Sequence, residues 1–561
     1  MKRSIALETA CLLAAVYFAS ALNAPFWSRM TAAVQPAEAS DWVLLAATAV
    51  LLIALFNLAL TILATRHTVK PLLAVLFPLT AAVGYFMGAY GIVIDTHMVR
   101  NAFETNTAEA TDLVNAGLLL HVGLFGVLPA IVVLVWPIAY RPFWTEVRRK
   151  AVIGFATLPV VVALVWLFFM DFTSLFREQR TLKYTLTPSN YLVATAGYLR
   201  SLSPASAVVA SPFGADAHVV HEATAGAGPK TVTVVVVGET ARADHFSLNG
   251  YARATNPELS KIAGLVSFRH VTSCGTDTAH SVPCMFSGVG RANTTSDIAL
   301  RQEDLLDIAQ RAGLDVLWRE NQTGCKGVCL RVPTETLTHE HLHAYCDDGE
   351  CHDAILLAGL EKRLAATTKD ALIVLHMMGS HGPAYFKRYP QSFARFKPEC
   401  KETQFSHCTA DELINAYDNT ILYTDHVLAD LIGLLQRVAG RGIATSMIYM
   451  SDHGESLGEN NLYLHGMPFA LAPEVQTHVP MLVWLSPEMA AARAIDPACV
   501  AAKSDAELSH DNLFHSVLGL NDVATAVYDP ALDIYATCRP KAAIEALTAS
   551  APRPAPAKPA I

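Results

Sequence analysis

The chain has 561 residues, of which 52% are apolar and 16% charged, with a formal net charge of −9 and a mean hydropathy of +0.32. Soluble globular chains carry about 25% charged residues, so these values exclude a disordered chain, a disulfide-only miniprotein and a simple cytosolic enzyme. The negative balance and the lack of a basic stripe argue against a nucleic-acid partner.

Five apolar runs come first, at residues 5–24, 42–64, 71–94, 115–139 and 151–170. Each approaches the length of about 20 residues that a helix needs to cross a bilayer. Lys2, Arg3, Arg66, Lys70, Arg141, Arg148, Arg149 and Lys150 fall on one side of the runs, and only Arg29 and Arg100 on the other. That bias predicts a cytoplasmic N-terminus and places everything after residue 171 outside. Cleavage of the first run as a signal peptide would leave the same orientation. Glu8 and His121, polar groups inside the runs, read as packing or interface residues.

Residues 171–202 mix aromatics with Arg177, Arg180 and Lys183 and predict an interfacial segment along the bilayer surface. Residues 203–229 are rich in Ser, Ala, Gly and Pro and read as a flexible linker. The Ala/Pro/Lys tail at 549–561 reads as disordered. The expected organisation is therefore a membrane domain at 1–170, an interfacial and linker region at 171–229, a catalytic domain at 230–548 and the tail.

Within the third region, short buried runs at 231–237, 314–318, 371–375, 446–450 and 479–485 alternate with amphipathic stretches such as 301–312 and 410–438. This predicts an α/β domain with a largely parallel sheet. Of 11 cysteines, Cys11 lies in the first run and the other ten follow residue 270. Sequence neighbours suggest the pairs Cys274–Cys284, Cys325–Cys329, Cys346–Cys351 and Cys400–Cys408, with Cys499–Cys538 as a fifth. Such a set fits an oxidising compartment, the periplasm of a Gram-negative cell. The competing reading is a cysteine zinc site at Cys325/Cys329 and Cys346/Cys351.

Polar residues gather where the strands end. Gly238-Glu239-Thr240 follows the first, Glu320-Asn321-Gln322 the second, His376 and Gly379-Ser380-His381-Gly382 the third, and Ser451-Asp452-His453-Gly454-Glu455 the fourth. In open α/β sheets the ligand crevice lies at the carboxyl ends of the strands, so Glu239, His381, Asp452 and His453 are expected to converge. Two carboxylates with imidazoles suit zinc, with manganese as the alternative. Thr278 stands before an expected helix start, flanked by Cys274 and Cys284. A metal on its hydroxyl would lower the pKa and create a nucleophile, while the helix N-terminus favours an anion.

These motifs, GET at 238–240, CGTDTAHSVPC at 274–284, GSHGP at 379–383, SDHGES at 451–456 and LHG at 464–466, resemble those of the lipid A phosphoethanolamine transferases, the polymyxin-resistance type within the alkaline-phosphatase superfamily. The resemblance covers nearly the whole chain. It implies a five-helix membrane domain followed by a periplasmic domain of alkaline-phosphatase/sulfatase type. It makes Thr278 the nucleophile and a metal ligand, Glu239, Asp452 and His453 the other zinc ligands, and His381 and His465 residues for the substrate phosphate or a second zinc. Lys326 matches a phosphate-contacting lysine. Asn321 and Gln322 receive no role. After the third run, Asn101, Thr105 and Glu109 resemble residues that bind the donor's head group.

The implied function is transfer of phosphoethanolamine from phosphatidylethanolamine, through a phosphoethanolamine–threonine intermediate, to a lipid A phosphate in the inner membrane. The implied cofactor is one tightly held zinc, with a second when substrate is present, and the implied state is a monomer. Alternatives are transfer to core oligosaccharide or another envelope glycan, a membrane-tethered phosphodiesterase or sulfatase, and a glycerol-phosphate transferase of the lipoteichoic-acid synthase type using manganese.

Overall fold

The computed structural model describes residues 4–104, 111, 113–168, 171–172, 175, 182–201, 210–220, 229–322, 324–337, 344–347, 350–402 and 405–548. The chain divides into two compact units, Met1–Phe103 with Leu113–Ser203, and Glu104–Asp112 with Pro204–Ile561. Thr105, Glu109 and the 549–561 tail lie outside the described residues.

In the first unit, five helical stretches are long and apolar enough to cross a membrane: Leu7–Val34, Ala39–Leu63, Val69–Tyr90, Ala116–Val135 and Phe143–Leu167. Two differ from the sequence expectation. The first continues past residue 24 because Ala24-Pro25 opens a new helix, Ala24–Val34, and proline's fixed φ suits a first helical turn. The fifth starts at Phe143 instead of 151, so Arg148, Arg149 and Lys150 lie on its first turns. Long basic side chains can lay their stems along apolar surface and keep their charge at the edge.

Glu8 is paired: Arg141 binds its carboxylate, and the Arg149 guanidinium lies 3.5 Å away. His121 packs against the rings of Phe125 and Tyr85 at 4.8 and 5.8 Å. One helix contact permits no side chain. Pro78 sits inside Val69–Tyr90, and opposite it the fourth span passes through a π-turn at Gly123–Val127. A Cβ on Gly126 would lie 2.6 Å from Pro78 Cα.

The second unit is built on a seven-stranded sheet. Its strands are β1 (Thr231–Gly238), β2 (Val266–Phe268), β3 (Asp315–Glu320), β4 (Thr334–Thr336), β5 (Ala371–His376), β6 (Ala444–Ser451) and β7 (Met481–Leu485). Their order across the sheet is β2-β7-β6-β1-β5-β3-β4. The pairs β6–β1, β1–β5, β5–β3 and β3–β4 are parallel, and β7 runs against both of its neighbours. The five interior strands match the apolar runs of the sequence. The edge strands β2 and β4 are three residues each, too short to leave a periodic signal.

β1 reads TVTVVVVG and is buried at every position, the mark of a central strand covered on both faces. One face of the sheet, with Val235, Val237, Val374 and Ile448, packs on Val282, Met285 and Phe286 of α1 (Thr278–Phe286) and on Leu513, Phe514 and Val517 of Asp511–Leu520. α2 (Ala410–Ala439) is opened by a Thr409/Glu412 capping box.

All five expected cysteine pairs are disulfides, and Cys11 is free and buried. This removes the cysteine zinc site at 325/329 and 346/351.

The expected flexible linker at 203–229 needs correction over 211–220. His218–Val219 adds antiparallel to Val523–Ala524, and the Asp216 carboxylate accepts from Thr525 Oγ1 and the Ala526 N–H at 2.7 Å each. Phe213 packs on Phe514 with ring centroids 6.1 Å apart. Its Ser/Ala/Gly/Pro setting hides a segment whose hydrogen-bond partners are distant in sequence.

Because Gly126 faces backbone, we predict that Gly126→Val destabilises the membrane unit by roughly 1–3 kcal/mol through overpacking. Thermal unfolding of the detergent-solubilised protein should show a lowered midpoint; an unchanged midpoint would contradict this packing.

Candidate active site

The parallel register aligns the strand ends. Ser451 of β6 is level with Gly238 of β1, and His376 of β5 is level with Val237 and with Glu320 of β3. The residues that follow therefore emerge side by side. The Asp452 N–H donates to the Gly238 carbonyl at 3.0 Å, and the Ser380 N–H to the Glu239 carbonyl at 3.0 Å.

Glu239, Asp452 and His453 are buried, and one ligand atom of each lies within 4.8 Å of the others. His453 Nδ1 is 2.9 Å from the Gly454 carbonyl. A carbonyl only accepts, so Nδ1 carries the proton in that bond and Nε2 faces the carboxylates. Nε2 lies 3.4 Å from Glu239 Oε1 and 3.4 Å from Asp452 Oδ2. Asp452 Oδ1 accepts from the Thr240 and His453 N–H groups at 3.1 and 2.7 Å, but Oδ2 is buried and accepts no hydrogen bond from any described residue. A buried carboxylate oxygen without a donor is costly. Its orphaned state, beside an imidazole nitrogen and a second carboxylate, is what a cation would satisfy, and the donor set fits a divalent metal such as zinc.

Thr278 is the first residue of α1. Asp277 caps that helix by accepting from the His280 N–H at 3.0 Å. The Thr278 hydroxyl is 3.2 Å from each oxygen of Glu239 and 3.5 Å from His453 Nε2. The Cys274–Cys284 disulfide ties the loop before α1 to the helix itself. The Gly466 N–H donates to the Thr276 carbonyl at 2.8 Å, joining this loop to the turn that carries His465.

The two further histidines lie close by. The His465 ring is 4.3 Å from that of His453 and 5.6 Å from that of His381, measured between centroids. His465 Nδ1 donates to Glu455 Oε2 at 2.8 Å, and the Tyr385 hydroxyl binds the other Glu455 oxygen. The loop carrying His381 is held by Asp353, whose two oxygens accept from the Met378 and Gly379 N–H groups at 2.8 Å each. Gly379 has φ 53°, and a Cβ there would lie 2.6 Å from the Glu239 carbonyl oxygen, so this close approach requires glycine.

Several supporting residues have roles that the sequence did not assign. Gln322 Nε2 donates to Glu239 Oε2 at 2.9 Å, while its own N–H donates to Glu320 Oε1 at 2.9 Å. Asn321 Nδ2 donates to Asp353 at 2.8 Å. Thr240 has φ 58°, unusual for a β-branched residue. Its hydroxyl donates to Glu239 Oε1 at 2.7 Å and its carbonyl accepts from Tyr417 of α2 at 2.8 Å.

Of the residues singled out in the sequence, Glu239, Thr278, His381, Asp452, His453 and His465 gather here. Lys326 sits at φ 51° on the loop closed by Cys325–Cys329, four positions after Gln322. Asn101 lies on the helix Thr96–Glu104 of the first unit.

The cluster's protonation reflects its crowding. Burial and the adjacent Glu239 push Asp452 up to about 7. Burial opposes charge on His453, yet Asp452 and Glu239 hold it up to about 10. Burial alone would raise Glu239, but the bond and charge of His453 keep it well below the usual carboxylate range.

Hydroxyl, carboxylates and imidazoles at the carboxyl edge of a parallel sheet define an enzyme class of sulfatase type, and the family model described as Sulfatase matches residues 231–523. A second model, described as Phosphoethanolamine transferase EptA/EptB, matches residues 52–202. Phosphoethanolamine transferase EptA of Salmonella typhimurium is 40% identical over 552 residues, 96% of this chain and 98% of that one. Phosphatidylethanolamine transferase Mcr-1 of Escherichia coli is 38% identical over 532 residues, 93% and 96% of the two chains. The integral membrane protein lipooligosaccharide phosphoethanolamine transferase A from Neisseria meningitidis superposes with a TM-score of 0.91 at 34% identity, covering 96% of this chain and 100% of that chain. The chain belongs to the EptA/EptB phosphoethanolamine transferase family.

A metal entering this cluster must displace protons, which occupy more of its sites as pH falls. We predict that metal affinity drops by about tenfold per pH unit for each proton displaced on acidification from neutrality. Chelator competition at several pH values checks this; an affinity independent of pH would contradict the proton sharing described.

Proposed function

We propose that this protein moves phosphoethanolamine from phosphatidylethanolamine to a phosphate of lipid A through a covalent phosphoethanolamine–Thr278 intermediate. The observation that carries this reading is the Thr278 hydroxyl, 3.2 Å from both Glu239 oxygens at the N-terminus of α1. The relatives named as phosphoethanolamine and phosphatidylethanolamine transferases support the group transferred and its donor. Another, Kdo(2)-lipid A phosphoethanolamine 7''-transferase of Escherichia coli, is 28% identical over 502 residues and supports an acceptor of the lipid A class.

In the first step Thr278 Oγ1 bonds to the donor phosphorus while the phosphorus–oxygen bond to glycerol breaks. The hydroxyl proton passes to an imidazole of the site, His381 or His465, and from it to the diacylglycerol oxygen as that oxygen leaves. In the second step a hydroxyl oxygen of the acceptor phosphate attacks the same phosphorus, its proton passes through the same imidazole to Thr278 Oγ1, and the bond to Thr278 breaks. The N–H groups at the start of α1 favour the phosphate's negative charge. Lys326, His381 and His465 add positive or donor groups around it.

Glu239, Asp452, His453 and Thr278 would hold one zinc, with His381 and His465 available for a second when substrate is present. When bound, the metal supplies Lewis acidity, lowering the pKa of the Thr278 hydroxyl and drawing charge from the phosphoryl oxygens. Asn101, Thr105 and Glu109 are assigned to the donor's ethanolamine group: one carboxylate and two neutral acceptors suit an ammonium.

The spans and their basic flanks support an inner-membrane protein with a cytoplasmic N-terminus and a periplasmic catalytic domain. The domain ranges of 1–170 for the membrane part and 230–548 for the catalytic part go with this reading, the latter extended by the docked 211–220 segment.

The test is mass spectrometry of lipid A from cells expressing the wild type or Thr278→Ala. The expected result is a phosphoethanolamine adduct with the wild type, reduced by about 10³-fold or more in the variant. An adduct of equal abundance with Thr278→Ala would overturn the nucleophile. Absence of any adduct with well-expressed wild type would overturn lipid A as the acceptor.

A further inference from the structure

We propose that His510 is a positioning residue for the transfer: a buried imidazole that fixes the nucleophile loop against the strand end bearing the Asp452–His453 pair. The inference rests on Thr278 being the nucleophile. His510 is fully buried. Its Nδ1 lies 3.0 Å from the Cys274 backbone nitrogen and its Nε2 2.9 Å from the Ser451 carbonyl oxygen. The first partner can only donate and the second can only accept. The ring is thereby held as one neutral tautomer, accepting at Nδ1 and donating at Nε2.

Both partners sit where small displacements matter. Cys274 is disulfide-linked to Cys284 inside α1, and Thr278 begins that helix. Ser451 immediately precedes Asp452 and His453. Its hydroxyl accepts from the Ala241 N–H at 2.9 Å and donates to the His453 carbonyl at 3.0 Å, so the same residue touches the segments that follow Glu239 and Asp452. His510 is itself anchored, its N–H donating to the Thr272 carbonyl at 3.1 Å. One rigid ring thus spans from the loop that presents the hydroxyl to the strand end that presents the ligands. Reacting atoms misplaced by about 1 Å can cost a hundredfold in rate.

An imidazolium would set a second N–H against that of Cys274. Burial, with the imidazoles of His453 and His280 nearby, pushes His510 down to about 3, which keeps the acceptor in place. The ring reaches neither the Thr278 hydroxyl nor the three ligand side chains in any contact described here, so it acts through the backbone that carries them.

The experiment compares full-length wild type with His510→Phe, which keeps a ring but loses both bonds, and His510→Gln and His510→Asn, whose amides keep one donor and one acceptor. Rates are measured with phosphatidylethanolamine and lipid A in detergent and normalised to folded, monodisperse enzyme. The expected result is a kcat lowered about 10²-fold in the Phe variant, KM changed less than about twofold, and at least tenfold recovery of kcat in one amide variant. A kcat per folded molecule within about twofold of wild type in the Phe variant would overturn the proposal. Should that chain fail to fold, a kcat within about tenfold of wild type in one amide variant supports the bonding pattern, and hundredfold losses in both would overturn it. Because Thr278→Ala tests the nucleophile separately, its retained activity would identify failure of the underlying reading instead.

Discussion

Two carboxylates, Glu239 and Asp452, leave adjacent parallel strands side by side in a dry interior, and their combined charge has to be neutralised. His453 is the immediate counter-charge, and the orphaned Asp452 Oδ2 shows that it does not complete the task. A divalent cation would complete it, with the Thr278 hydroxyl, 3.2 Å from both Glu239 oxygens, available as a further donor. The electrostatic cost of two adjacent buried carboxylates and the chemistry a bound metal would supply are two aspects of the same constraint.

The surrounding structure keeps that constraint in register. Gln322 and Thr240 donate to Glu239, so both of its oxygens are oriented before anything binds. Asp353 fixes the loop of His381, and Glu455 fixes the imidazole of His465. These are side chains oriented by further hydrogen bonds, the arrangement by which metal and phosphoryl-transfer sites gain preorganisation. The short disulfide-closed loops serve the same end: Cys274–Cys284 restrains the segment bearing the hydroxyl.

Much of this was legible in the chain because it follows simple periodicities. Apolar length marks membrane spans, continuous β-branched runs mark central parallel strands, and the polar residues after Val237, Leu375 and Met450 mark one sheet edge. What escaped has no such signature. The roles of Gln322, Tyr417, Glu455 and His510 are defined by partners distant in sequence, and a glutamine, tyrosine or histidine looks the same there whether it is solvated or buried in a network. The 211–220 segment escaped because its few strand residues lie within linker-like composition. The start of the fifth helix was misjudged because basic residues within a helix interrupt the apolar run without ending the helix.

The central claim is that Thr278 carries the transferred group. The most direct measurement incubates the full-length protein with phosphatidylethanolamine and no acceptor, then maps the modified peptide by mass spectrometry. The account predicts phosphoethanolamine on Thr278 and its loss when lipid A is added. An unmodified Thr278 throughout active turnover, or the group on another residue, would contradict it.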